Sequence, residues 1–178
     1  MHTTRFNPFA DRLSRDIRND LSETVIDVLN LRSTATAEEV ADDYRRRNLA
    51  PPYIEYIDER VKRYRLALKA LREDSSLFEQ AAVLWDLGLF FEVHEILEPA
   101  WMDAAGNEKR LLQALIRAAG VYINLELDYE QRARKIGAKA LPVLKELQQE
   151  LTAHIDSEAL IAALETLSPE PPRLSLQR

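Results

Sequence analysis

The chain has 178 residues, 46% apolar and 30% charged, enough to bury a sizeable core with the composition of a globular protein. It contains no cysteine, which excludes disulfides, thiolate metal sites and cysteine nucleophiles, and its four glycines fall in no phosphate-cradling pattern. The net charge of −6 lies wholly in residues 76–178, with 10 Lys/Arg against 16 Asp/Glu, whereas residues 1–75 hold 14 of each; such a chain suits phosphate backbones poorly unless its bases cluster.

Taken in chain order, the signals are helical throughout. Ile17, Leu21, Val25, Val28 and Leu29 recur at helical spacing and predict a first helix over about residues 8–31. Thr36 with Glu39 has the spacing of a capping box, opening a second helix that ends before Pro51-Pro52. A third is predicted from about Tyr53 to Glu73, with Ile54, Ile57, Val61, Tyr64, Leu68 and Leu71 as its apolar stripe. Ser76 and Glu79 repeat the box before "LFEQAAVLWDLG", where Gly88 reads as a C-terminal cap. The helix carrying "FFEVHEILEPAW" follows, ending near Gly106. Asn107 reads as the N-cap of a long helix and Asp128 as the cap of another, which Pro142 should kink or split. Asp156 is placed to cap the last helix.

No window alternates polar and apolar residues long enough to argue a sheet. The expected fold is all-α: a compact bundle of roughly six to eight mostly antiparallel helices. It is organised as an N-terminal helical segment over 1–75 packing on the core, a bundle core over 76–168, and a mobile Pro-rich tail over 169–178. No apolar run is long enough to span a membrane, and "MHTTRFNPFADRLSRD" lacks the apolar core of a signal peptide, so the reading is a soluble cytoplasmic protein.

The chemistry concentrates in residues 90–101. At 3.6 residues per turn, Phe90, Phe91, His94, Leu97, Glu98 and Trp101 share one side of their helix, which places a histidine and a carboxylate on the apolar face; Glu92 and Glu95 point elsewhere. A buried Glu98 needs a partner, since an unpaired buried charge costs several kcal/mol as a rough scale. The following helix offers one in the row Arg110, Gln113, Arg117, Gly120 and Asn124. Arg117 is the expected counter-charge, Gln113 a bridge, and Gly120 the point where the two backbones approach closely. Pro99 removes the donor that would bond the Glu95 carbonyl, leaving that acceptor free.

"GLFFEVHEILEPAW", "EKRLLQALIRAAGVYINLE" and "GAKAL" together resemble the family called domain of unknown function 309, over about residues 84–147. The resemblance implies a compact helical bundle and no established activity. Its motif residues fall here on His94, Glu95, Glu98, Trp101, Gln113, Tyr122, Gly137 and Ala138. The histidine that often follows the motif tyrosine is Ile123 in this chain, and the usual R-G-N turn is replaced by the longer "ELDYEQRARKI".

Three functional readings follow. The first is a non-enzymatic binding or interaction module whose buried polar network (His94, Glu98, Trp101, Gln113, Arg117 and Tyr122) lines a groove for a protein partner or small ligand. The second is a metal-dependent hydrolase or oxidase, with a divalent metal on His94 and Glu98 and with Glu95, Glu98 or His94 as the catalytic candidates. Against it, the other histidines, His2 and His154, belong to no ligand motif. The third is nucleic-acid binding through the basic and aromatic residues 44–65, most of whose charges read as the solvated face of a helix. Self-association is left open by the sequence.

Overall fold

Asp11 starts the first helix by accepting from the backbone N–H groups of Leu13 and Ser14 (3.3 and 2.9 Å), which satisfies two of the orphan donors every helix leaves at its start. The structure is a computed structural model and describes residues 5–176. It divides into two compact units, Met1–Ala70 and Leu71–Arg178, a boundary slightly earlier than the expected 75/76.

The first unit contains α1 (Arg12–Glu23), α2 (Val25–Leu31), α3 (Ala35–Arg45) and α4 (Pro51–Ala70). The helix expected over 8–31 is thus broken at Thr24, whose hydroxyl donates to the Leu21 carbonyl (2.6 Å) and takes up an acceptor of the last turn. The Thr36 box is not formed. The helix starts at Ala35, whose N–H is taken by Ser33 Oγ (3.2 Å), so Thr36 is already inside it. Pro51 and Pro52 open α4 instead of preceding it, because a first-turn residue needs no donor. Ile17, Leu21, Ala41, Tyr44, Ile57 and Val61 form the core of this unit.

The second unit contains α5 (Leu77–Asp86), α6 (Phe90–Asp103), α7 (Gly106–Leu125), α8 (Glu130–Glu146), α9 (Gln148–Leu151) and α10 (Ser157–Thr166). The Ser76–Glu79 capping box is complete, with both reciprocal bonds made. Gly88 ends α5 in the left-handed region (φ 67°). The N–H groups of Gly88 and Leu89 return to Trp85 and Leu84, the paired bonds of a Schellman close. Asp156 caps α10 through Ala159 N–H (2.9 Å). Three expected boundaries move. Asn107 lies inside α7, which begins at Gly106, and its side chain accepts from Arg110. Asp128 closes α7 in a left-handed conformation (φ 64°) while Tyr129 N–H returns to Asn124. Pro142 does not split its helix, since α8 runs on to Glu146.

Contacting residues fix the helix directions. Phe90 meets Tyr122 and Trp101 lies under Lys109, so residue numbers rise along α6 as they fall along α7. Arg110 meets Glu146, and Gly120 lies against Ile136, so α7 and α8 are antiparallel too. Leu97 and Leu112 are completely buried in this bundle, each worth about 1.5–3 kcal/mol by area. Among the described residues there are ten helices, more than the six to eight expected, and the one β feature is an isolated bridge between Ile155 and Ser175.

That bridge lies in the Pro-rich tail expected over 169–178, of which the structure describes residues up to 176. Its backbone is extended, as proline content predicts, but Leu174 is buried and residues 172–175 are hydrogen-bonded to the bundle. No helix among the described residues is long and apolar enough to cross a membrane.

Candidate functional site

The face of α6 that is buried is not the one the motif occupies. Phe90, Glu92, Val93, Ile96 and Leu97 are inside, whereas His94, Glu95, Glu98 and Trp101 are only partly covered. Relative to expectation the helix is turned by about one residue, roughly 100°. The fully buried carboxylate is Glu92, against the expectation that it points away from the core. Its signal was present: Glu92 stands three residues after Leu89 and four before Ile96, both buried.

His94 keeps 32% of its side chain exposed and Glu95 19%. His94 Nδ1 lies 3.5 Å from Glu95 Oε1, within reach of charge attraction when the ring is protonated, but the two are not aligned as a hydrogen bond. Nδ1 is itself buried and has no partner among the described residues, so the accessible part of the imidazole lies elsewhere on the ring. The ring stacks on Phe91 at 5.7 Å.

Interpolation between Phe90–Tyr122 and Trp101–Lys109 puts His94 near the level of Arg117, and Glu98 near Gln113. Among the described residues, however, neither Arg117 nor Gln113 bonds Glu98, and the expected buried network is not made. The physical reason is exposure. Glu98, Gln113 and Arg117 are all part-solvated, so water satisfies them and no internal counter-charge is demanded.

The ends of the predicted row turn elsewhere. Arg110 makes a bidentate pair with Glu146 of α8 (2.9 and 2.5 Å), which raises the arginine and lowers the glutamate pKa through that hydrogen bond. Asn124 donates to the Gly120 carbonyl of its own helix. Gly120 faces α8, not α6: a Cβ there would meet Ile136 at 3.7 Å, an ordinary contact.

Tyr122 is where the motif does enter the core. Its ring packs edge-on to Trp85 (5.1 Å) and stacks with Phe90 (5.4 Å). Its hydroxyl is buried with no partner among the described residues, and that burial pushes the phenol pKa up to about 12. At the other end of the strip, Lys109 Nζ sits over the part-exposed Trp101 ring at 5.2 Å.

The metal expectation for His94 and Glu98 meets a ligand shortage. Among the described residues no group of three or more His, Asp or Glu side chains is placed to hold an ion, and zinc sites take three or four protein ligands. His154 is a packing residue against Phe78 (5.4 Å), while His2 lies outside the described residues.

The basic residues of 44–65 are largely neutralised within their own unit. Arg45 is held by Asp42 and Asp58, Arg46 by Asp43, Arg65 by Glu38, and Lys62 and Arg63 lie near Glu59. Arg47 and Arg60 lie over the rings of Tyr44 and Tyr56. A cleft of about 390 Å³ in the same unit is lined by four carboxylates, Asp20, Glu23, Asp27 and Asp43, against one cation, Arg47, a net acidic surface that suits phosphate poorly.

The second unit is thus a helical bundle with its motif along the α6–α7 seam. Residues 78–136, about a third of the chain, match the model of the family described as domain of unknown function (DUF309). The matched segment includes His94 through Tyr122 and stops before Gly137 and Ala138. No curated protein and no solved structure matches the chain.

Proposed function

We propose that the second unit is a non-enzymatic binding module, whose contact strip is the α6–α7 seam carrying His94, Glu95, Glu98, Trp101, Gln113 and Arg117. The observation that carries this reading is that His94 Nδ1, in the motif itself, is sheltered from water and given no hydrogen bond by any described residue. Such an atom is a cost the fold carries within its motif, while the accessible edge of the same ring stays open to a partner. The neighbouring charges are part-solvated, which makes them inexpensive to desolvate against complementary ones. Trp101 adds an aromatic anchor of the kind that dominates protein interfaces. A protein segment of mixed charge suits this strip, whose charged side chains are part-exposed along the length of two helices.

The test is site-specific photocrosslinking in the protein's own cells. A benzophenone residue at Gln113 is expected to trap one discrete protein adduct, lost on adding His94→Ala and absent from a probe at the exposed position Glu158. No adduct at Gln113, together with stoichiometric metal in the purified chain that is lost in His94→Ala, would replace this reading with a metal site.

A further inference from the structure

The last described residues are held as a ligand is held. Four main-chain groups are read in succession: Pro172 O by Trp85 Nε1 (2.9 Å), Leu174 N and Ser175 N by the two oxygens of Asp86 (2.6 and 3.0 Å), and Leu174 O by Asp156 N (2.9 Å). One side chain is buried. Leu174 enters an apolar hollow floored by Phe78, Trp85, Val93, Leu97, Leu115 and Ile155, and leaves about 10 Å³ of it empty. Arg173 points outward, 71% exposed, with Nε 3.6 Å from Asp86.

We propose that this hollow is a peptide-binding site for an extended protein segment supplied in trans, a segment with one leucine-sized anchor preceded by a basic residue, and that the chain's own tail occupies it in cis. The contacts demand only extended backbone and a single apolar side chain, which is how domains that recognise strands read their peptides. Pro171 and Pro172 hold the tail extended before it docks, lowering the entropy cost of binding. Most of the floor, Phe78 through Leu115, lies inside the segment matched by the family, whereas the tail lies outside it. The hollow uses the buried side chains Val93, Leu97 and Leu115 of α6 and α7, not the part-exposed side chains of the strip.

The test keeps the full chain and releases the tail with Leu174→Glu, which removes the anchor and leaves the floor intact. The probe is a fluorescein-labelled peptide of residues 168–176, and its control carries glutamate in place of the leucine. In the wild-type chain the tail competes at the high effective concentration of a tethered ligand. Anisotropy is expected to show saturable binding to Leu174→Glu, at least about tenfold tighter than to wild type, with no binding of the control peptide. Equal binding to both chains, binding of the control, or no binding to a folded Leu174→Glu chain would overturn the proposal. Unfolding of Leu174→Glu would also count against it. Native-state hydrogen exchange on the wild type checks the same point without a variant. The amides of Leu174 and Ser175 should exchange by local opening, at least about tenfold faster than those of α7; exchange only through global unfolding would make the tail part of the core.

Discussion

The two units treat their polar side chains in opposite ways. In the first, the buried tyrosines have partners: Tyr44 Oη donates to Asp20 Oδ2 (2.5 Å) and Tyr64 Oη to the Leu21 carbonyl (3.1 Å). Part-buried Tyr53 donates to Asp11 (3.0 Å), and that carboxylate also takes the Ser14 hydroxyl (2.7 Å). In the second, the motif leaves His94 Nδ1 and Tyr122 Oη unpaired among the described residues. Polar groups that build a fold are satisfied by it, because an unmade buried hydrogen bond costs about 1–3 kcal/mol. Those left over point to something the fold is not doing for itself.

The largest effect that would sharpen this contrast comes from the core of the second unit. Leu97→Ala is expected to cost about 2–5 kcal/mol by removing a completely buried side chain from a packed interior. Tryptophan fluorescence in urea measures it for that unit alone, since Trp85 and Trp101 both lie there. Next comes the first unit's polar cluster. Asp11→Ala should cost about 1–2 kcal/mol, as loss of an N-cap does, read from exchange of the amides of α1.

The same carboxylate should show in the acid limb. Its hydrogen bond from the Ser14 hydroxyl leads the effects that hold its pKa below the ordinary carboxylate value. Its contribution is therefore complete above the unfolded value and disappears as pH falls through the lower folded value. Wild type and Asp11→Asn should differ in stability at pH 7 and converge near pH 2; a gap that persists in acid would mean the charge is not the source.

Tyr122→Phe is expected to have a smaller and opposite effect. Deleting an unpaired buried hydroxyl should leave stability unchanged or raise it by up to about 1 kcal/mol. With the folded pKa near 12, the neutral phenol is favoured in the fold; the resulting stability is intact below pH 10 and is lost as pH rises towards 12. The Tyr122→Phe chain should accordingly resist alkaline unfolding to higher pH than wild type. A loss above about 1.5 kcal/mol at pH 7 would show that the hydroxyl has a partner after all.

Much of this molecule was legible as text. Helical periodicity gave the all-α class, and local rules gave the box at Ser76, the left-handed close at Gly88 and the cap at Asp156, because each depends on a few neighbouring residues. Some starts shift by local competition, as where α3 begins at Ala35 and leaves Thr36 inside it. Other misses depended on tertiary context, as with Pro142, which is tolerated inside α8. The rotation of α6 is ambiguous in the sequence because Phe90, Phe91, Leu97 and Trp101 define one apolar face, and Leu89, Val93, Ile96 and Leu97 another about one residue away. Only packing chooses between them, and it chose the second, burying Glu92 and leaving His94 and Glu98 at the rim. The docking of the tail was equally invisible, since Asp86 and Leu174 are far apart in sequence and neither carries a local signal.

The central claim, that the motif side chains serve a partner and not the fold, is tested most directly by the urea stability of the triple variant His94→Ala, Glu98→Ala, Arg117→Ala, followed by tryptophan fluorescence. The account predicts a change within about 1 kcal/mol of wild type, the range for part-exposed positions. A loss of about 3–5 kcal/mol, the scale for breaking a buried charged network, would contradict it.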